Sequence, residues 1–269
     1  MDNAPFKARL LGGFEVEIEG QPLPKLRSRK GQLLLALLIL RHNVEVSRDW
    51  ICGVLWLDST QENSRLSLRQ SLNDLRNALG SQAYRLESPT ARTLRFISSG
   101  AEIDVLTFDA LLKEREPTSE TFERAVSLYR GTLLEGWTDE ILIVEQESRR
   151  QGYVDALERW AEKLQGIGEH NTATRLLKAA LVFAPLQESL YRTLMHSLTE
   201  ADRFAECMEV YRNLRVTLWE EMHLQPDPET VSLYNRLRAG YQERSQRIST
   251  PPPSQQPRSE EHTSELQSH

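Results

Sequence analysis

Between Ala8 and Gly20 the chain opens with a short apolar run and then alternates, with Phe14, Val16 and Ile18 set against Glu15, Glu17 and Glu19. A period of two puts successive side chains on opposite faces, the mark of a half-buried strand. Gly12-Gly13 and Gly20-Gln21 interrupt the run, which predicts two or three short antiparallel strands. From Ser28 the period becomes helical: Leu33, Leu34, Leu37, Leu38 and Leu40 recur between Arg29, Lys30 and Arg41. Ser47 is a good N-cap for a second helix carrying Trp50, Ile51, Val54, Leu55 and Leu57. Asp58-Ser59-Thr60-Gln61 reads as a turn, and a third helix is predicted from about Asn63 to Leu79, stopped by Gly80. Tyr84 to Glu87, Ser88 to Arg92 and Thr93 to Ile97 read as strand, turn and strand.

Sheet, three helices and a hairpin is the element order of a winged helix-turn-helix, and the faces of the third helix agree with it. At about 100° per residue, Leu68, Leu72, Leu75 and Leu79 make one stripe that would pack on the first two helices. Arg65, Arg69, Asn73 and Arg76 make a second stripe beside it. Arg and Asn carry the forked groups that pair with guanine and adenine edges in the major groove, and Arg also attracts phosphate without sequence preference. Arg92, at the tip of the predicted hairpin, is placed to reach an adjacent minor groove. The alternative is a solvated basic face on a small α+β domain.

Past residue 100 the strand signal almost disappears. Helices are predicted from Asp104 on, with breaks at Glu116-Pro117, Gly136, Gly166 to Gly168, Pro185, Asp202 and Pro226 to Pro228. Shifting the sequence by 34 residues pairs Leu157 with Tyr191, Trp160 with Leu194, Leu164 with Leu198 and Leu177 with Tyr211. The same shift pairs Gly168 with Asp202 and Ala173 with Cys207. A helical period of 34 is the tetratricopeptide (TPR) signature, in which each repeat buries its face on the next. An unrelated helical bundle with a chance register is the alternative.

Charge divides the chain in the same place. Residues 1–100 carry 14 Lys/Arg against 10 Asp/Glu, whereas residues 101–250 carry 18 against 26, within a total of −6. The stretch from Lys25 to Arg95 alone holds 12 basic and 6 acidic side chains. A basic module joined to an acidic one suggests a polyanionic partner for the first only, unless the imbalance is a chance surface fluctuation.

Other chemistries find little support. The longest apolar run, Leu33 to Leu40, is too short to cross a membrane, and the N-terminus lacks the basic flank and apolar core of a secretory signal. Cys52 and Cys207 lie far apart in apolar surroundings, which reads as core packing in a reducing, cytoplasmic setting. The six histidines show no metal-ligand spacing, and Gly12-Gly13 is followed by no GKS or GKT. Glu145, Glu147, Glu158 and Glu162 read as a solvated helix face, and the five tryptophans as packing anchors. No catalytic constellation, metal or cofactor is expected. After Thr250, Pro251 to Pro257 read as a linker or disordered tail. Arg258 to His269 resemble the translation of a sequencing-library adapter, so they carry no functional weight.

Specific residues also resemble a known family. Ala8 to Ile97, with Leu55-Trp56, Leu68-Arg69 and Leu75-Arg76-Asn77-Ala78-Leu79-Gly80, is similar to an OmpR/PhoB-type winged helix, and more closely to that of bacterial regulators of the SARP class. Where relatives often have two adjacent basic residues around Leu75, this chain has Asp74 and Asn77. Tyr129 to Gly136, Ala184 to Met195, Tyr211 to Leu218 and Pro226 to Thr230 resemble the bacterial transcriptional activator domain that follows it. Relatives' Leu-Gly before the late proline is here Met222-His223-Leu224. The order of the two resemblances, covering residues 6 to 245, is more specific than any single motif. With no receiver domain before the winged helix, activation by phosphoryl transfer to this chain is not expected.

The expected fold class is therefore an α+β winged helix-turn-helix (residues 1–100) followed by an all-α TPR-like helical repeat domain (101–245) and a tail (246–269). The expected function is a sequence-specific DNA-binding transcriptional activator that is not an enzyme. Its candidate DNA contacts are Arg65, Arg69, Asn73, Arg76, Asn77 and Arg92. The resemblance implies double-stranded DNA, RNA polymerase and a second protomer as partners, with binding to directly repeated half-sites. Two rivals are a protein–protein adaptor with a structural winged helix, and the N-terminal part of a larger ATPase-containing transcriptional regulator.

Overall fold

A computed structural model describes residues 5–114 and 117–249. The expected break at Glu116 and the segment from Thr250 on lie outside the described residues. Two compact units are distinguished, one up to Ala184 and one from Pro185. Among the described residues no helix is long and apolar enough to cross a membrane.

The first unit opens on the alternating stretch. Strands β1 (Phe6–Arg9), β2 (Glu15–Ile18) and β3 (Gln21–Pro22) form an antiparallel sheet, with Ala8 opposite Val16. A seventh strand, β7 (Glu102–Ile103), pairs in parallel with the free edge of β1 and gives the order β3-β2-β1-β7. Two residues carry no readable period, so this pairing is not legible in the sequence.

Helix α1 (Arg29–Leu40) begins where the Ser28 side chain accepts from the Gly31 amide, and it buries Leu33 through Ile39. Strand β4 (Val46–Ser47) leads into α2 (Arg48–Leu55), where Ser47 caps by accepting from the Trp50 amide as expected. Leu57 falls beyond the end of α2 and is 72% exposed, so it does not belong to the apolar face assigned to it. Helix α3 (Gln61–Leu79) starts about a half-turn earlier than expected, because Thr60 accepts from the Asn63 amide and serves as N-cap. It ends at Gly80, whose φ of 52° needs a residue without Cβ.

Leu68, Leu72, Leu75 and Leu79 are all buried, and α3 packs on α1 and α2. Burying each leucine is worth roughly 1.5–3 kcal/mol. The hairpin then differs from expectation at its start. Gly80–Arg85 is a 3-10 helix, and the strands are β5 (Leu86–Glu87) and β6 (Thr93–Phe96), with β4 on the far edge of β6. The reason is Arg85, which is 1% exposed. Its guanidinium donates to Gln82 Oε1 (2.9 Å) and to the carbonyls of Ile97 (3.0 Å) and Ser99 (2.7 Å).

Helices α4 (Asp104–Leu112), α5 (Ser119–Leu128), α6 (Glu140–Gly166) and α7 (His170–Phe183) complete the first unit. Phe108, Tyr129, Tyr153 and Phe183 form one aromatic cluster, and Trp160 packs on Phe122. The second unit contains α8 (Glu188–Glu200), α9 (Phe204–Met222) and α10 (Pro228–Ser249), with α10 against α8.

The 34-residue shift reappears in local geometry. Helix ends at Gly166 and Glu200, and helix starts at His170 and Phe204, are each 34 apart. Gly168 (φ 82°) and Asp202 (φ 55°) both turn the chain in the left-handed region. After each, an amide reaches back to an equivalent carbonyl: Glu169 to Leu164 and Arg203 to Leu198, both at 2.8 Å. Leu157, Trp160, Leu164, Tyr191, Leu194 and Leu198 are buried, as are Cys52 and Cys207, whose thiols burial pushes up. Trp219 is the exception among the expected anchors. It is 55% exposed, with the ring of His223, just past the end of α9, beside it.

Candidate nucleic-acid interface

The cap that starts α2 also places its first side chain. Arg48 follows directly on Ser47, and its backbone amide donates to the carbonyl of Arg92 in the turn of the β5–β6 hairpin at 2.9 Å. That bond brings the start of α2, the flank of α3 and the hairpin turn to one cleft of about 250 Å³, lined by Arg48, Asp49, Arg65, Leu68, Arg69, Ala91 and Arg92. Four guanidinium groups thus share a surface with a single carboxylate. Arg48 is held below its ordinary pKa, first by burial and then by the positive charges of Arg76 and Arg69. A cluster of cations with too few anions is the electrostatic footprint of a polyanion partner.

The expected residues divide into distinct environments. Arg65 is exposed but paired with Asp49 at 3.0 Å. Arg69, Asn73 and Asn77 are exposed. Arg76 is half-buried, and its Nη2 reaches Ser88 Oγ (3.1 Å) and the Leu86 carbonyl (3.4 Å), so it braces the hairpin. Arg92 is exposed in the hairpin turn and meets Arg65 and Arg69 in the cleft. The structure therefore brings Arg65, Arg69 and Arg92 together. Asn73 and Asn77 do not line that cleft and stand farther round α3, toward the side opposite the leucines.

That face follows from helix geometry. At about 100° per residue, Leu66, Gln70, Asn73 and Asn77 point opposite the buried leucine stripe, and all four are exposed. Arg65, Arg69 and Arg76 lie along the border toward α2 and the hairpin. On the other border, Ser67, Gln70, Ser71 and Asp74 line a second cleft with Arg27, Ser28, Lys30 and Trp56. Asp74 accepts from the Arg27 amide at 2.9 Å and so holds the segment leading into α1.

Two residues of the cleft escaped the sequence reading. Arg48 carries no periodic signal, and only its place after an N-cap Ser marks it as a side chain at a helix start. It donates to Ser88 Oγ at 2.9 Å, so Arg48 and Arg76 converge on one hydroxyl. Asp49 occupies the first turn of α2, where a carboxylate complements the helix dipole.

Residues 106–238 match the model of the bacterial transcriptional activator domain. The chain is 25% identical over 245 residues to the transcriptional regulatory protein EmbR of Mycobacterium tuberculosis, covering 85% of this chain. It is 24% identical over 244 residues to the transcriptional regulatory protein MoaR1 of the same organism, covering 85% of this chain and 78% of MoaR1. The chain resembles transcriptional regulators that carry this activator domain. It spans 62% of the length of EmbR. A solved structure of M. tuberculosis EmbR, in complex with a low-affinity phosphopeptide, shares the fold with a TM-score of 0.67 at 22% identity. That likeness covers 88% of this chain and 66% of the solved one.

Proposed function

We propose that this chain is a SARP-class, sequence-specific DNA-binding transcriptional activator, with residues 1–100 acting as a winged helix-turn-helix and 101–245 as a TPR-like repeat domain. The observation that carries the reading is the cleft in which the start of α2, the flank of α3 and the hairpin turn gather Arg48, Arg65, Arg69 and Arg92 around one carboxylate. The division of α3 into faces supports a division of labour. Asn73 and Asn77, opposite the buried stripe, take the base edges of the major groove, with Asn suited to adenine. Arg69, Arg92 and Arg48 take one phosphate backbone, and Arg27 and Lys30 stand ready for the other. Arg65 joins the phosphate set once it leaves Asp49, while Arg76 fixes the hairpin. Arg92 meets the phosphates that border the flanking minor groove, a contact that carries no base preference.

The helical repeats are assigned to protein partners, RNA polymerase and a second protomer on DNA, and the setting is the cytoplasm. The reading is non-enzymatic. It is tested by fluorescence anisotropy of the full chain on the duplex upstream of its own gene, beside a scrambled duplex, across a salt series. Tighter binding to the first duplex at every salt supports base reading. Equal binding that vanishes with salt leaves phosphate attraction alone. Absence of binding at low salt overturns the reading in favour of a protein–protein adaptor.

A further inference from the structure

A second cationic cavity lies within the first unit, formed by β1, β7, α4, α5 and Arg130, two residues past the end of α5. It encloses about 370 Å³ and is lined by Lys7, Arg9, Glu102, Asp104, Arg124 and Arg130 among others. Four of these side chains are cations and two are carboxylates; Arg9 is paired with Glu15 at 3.3 Å and Glu17 at 3.9 Å, which leaves Arg124 and Arg130 as the guanidinium groups without a close partner. Asp104 is buried and spent on the main chain, accepting from the amides of Leu10 (2.8 Å), Leu11 (2.9 Å) and Val105 (2.6 Å). Glu102 is taken by Lys7 at 3.0 Å. Arg130 has only long contacts, 3.9 Å to Asp104 and 3.6 Å to Glu15. Arg124 projects from α5 with its guanidinium in no ion pair among the described residues.

We infer that this cavity binds a small phosphorylated molecule of mononucleotide or sugar-phosphate size. The guanidinium groups of Arg124 and Arg130 are suited to phosphate oxygens, which Arg pairs in forked geometry. The volume falls in the range of small-molecule sites and leaves room for an organic body beside the phosphate. Thr107 and Ser127 supply what that body needs. Each donates its hydroxyl proton to a main-chain carbonyl, Thr107 to Ile103 at 3.1 Å and Ser127 to Arg124 at 2.8 Å. Each therefore keeps oxygen lone pairs to accept from ligand hydroxyl or amino groups. Ala8 and Leu128 complete the lining with apolar surface. The walls come from both the N-terminal strand and α5, so a bound molecule would touch the parts of the chain on either side of residue 100. This inference does not rest on the DNA-binding reading.

The test is isothermal titration of the full chain with AMP, ribose 5-phosphate and inorganic pyrophosphate, against sodium sulfate at matched ionic strength. The expected result is saturable one-to-one binding of at least one phosphorylated probe, weakened tenfold or more by Arg124→Ala and unchanged by Arg69→Ala. Arg124 has no structural ion pair to lose, so the unliganded melting temperature of Arg124→Ala should stay at the parent value. Binding that is lost with Arg69→Ala and kept with Arg124→Ala would place the anions in the α3 cleft and overturn the assignment. Sulfate binding as well as every phosphorylated probe, or no saturable binding at millimolar ligand, overturns it too.

Discussion

The backbone amide of Arg48 donates to the carbonyl of Arg92 at 2.9 Å, tying the first residue of α2 to the turn of the hairpin. This single bond continues the β4–β6 pairing, in which Ser47 stands opposite Thr93. The hairpin turn is therefore held to the helical layer by main-chain hydrogen bonding, independent of the side chains exposed on it. Arg92 itself is free to contact a ligand because its backbone does the positioning. Arg48 and Arg76 add a second tie through Ser88.

From this arrangement the cations of the cleft and the asparagines of α3 should behave differently on DNA. Arg92→Ala and Arg48→Ala should weaken binding to cognate and scrambled duplexes by the same factor, and each should reduce the slope of log affinity against log salt by about 1. Asn73→Ala and Asn77→Ala should instead cost about 1–3 kcal/mol on the cognate duplex and little on the scramble. Anisotropy on both duplexes across salt separates the two. A sequence-dependent loss with Arg92→Ala would reassign that residue to base reading.

Asp49 is the one carboxylate in a cleft of four arginines, and it holds Arg65 at 3.0 Å. Both partners are exposed, so the pair adds little to stability, on the order of 0–1 kcal/mol. Its larger effect is on charge. Asp49→Asn should leave the melting temperature within a few degrees of the parent, tighten binding to any duplex several-fold and steepen the salt dependence. Weaker binding by Asp49→Asn would show that Arg65 must be oriented by Asp49 to bind at all.

What the sequence disclosed and what it hid follow from the same physics. The leucines of α3 and the cap Ser47 are local signals, and each stands where its periodicity or hydroxyl placed it. Gly168 and Asp202 were legible as turn formers because left-handed backbone selects residue type. Long-range pairing was not. The two residues of β7 find β1 nearly a hundred positions away, and Arg85 is buried only because Gln82, Ile97 and Ser99 offer it oxygens. In the site, the arginine stripe of α3 was visible as a stripe. That Arg65 and Arg76 are engaged while Arg69 is exposed depends on Asp49 and Ser88, which no helical period connects to α3.

The paired left-handed turns give a stability test of the repeat. Gly168 adopts φ 82° without strain, whereas Asp202 holds φ 55° with a Cβ. A non-glycine residue pays roughly 1–2 kcal/mol there, less for Asp. Asp202→Gly should therefore stabilise the fold by about 0.5–1 kcal/mol, since the exposed contact of Asp202 to Arg244 at 3.5 Å is weak. Gly168→Ala should destabilise by about 1–2 kcal/mol. Urea unfolding midpoints of the two variants should move in opposite directions. Parallel shifts would mean that the two turns are not equivalent.

Tyr129 stacks on Tyr153 with ring centroids 4.0 Å apart, and its hydroxyl is buried without a hydrogen-bond partner among the described residues. Burial pushes the Tyr129 phenol up to about 12 from 10, and pushes Tyr153 up as well. Because the folded state holds these protons more tightly than the unfolded chain, the stability they allow is complete below about pH 10. It is lost as pH rises toward 12, where the unfolded chain ionises first. The melting temperature should therefore fall steeply between pH 10 and 12. Tyr129→Phe should make that fall shallower while leaving stability at pH 7 unchanged or raised by up to about 1 kcal/mol, since it removes an unpaired buried hydroxyl. A loss of more than 1 kcal/mol at pH 7 would mean that the hydroxyl is bonded, through a buried water, and that the aromatic cluster is partly held by that bond.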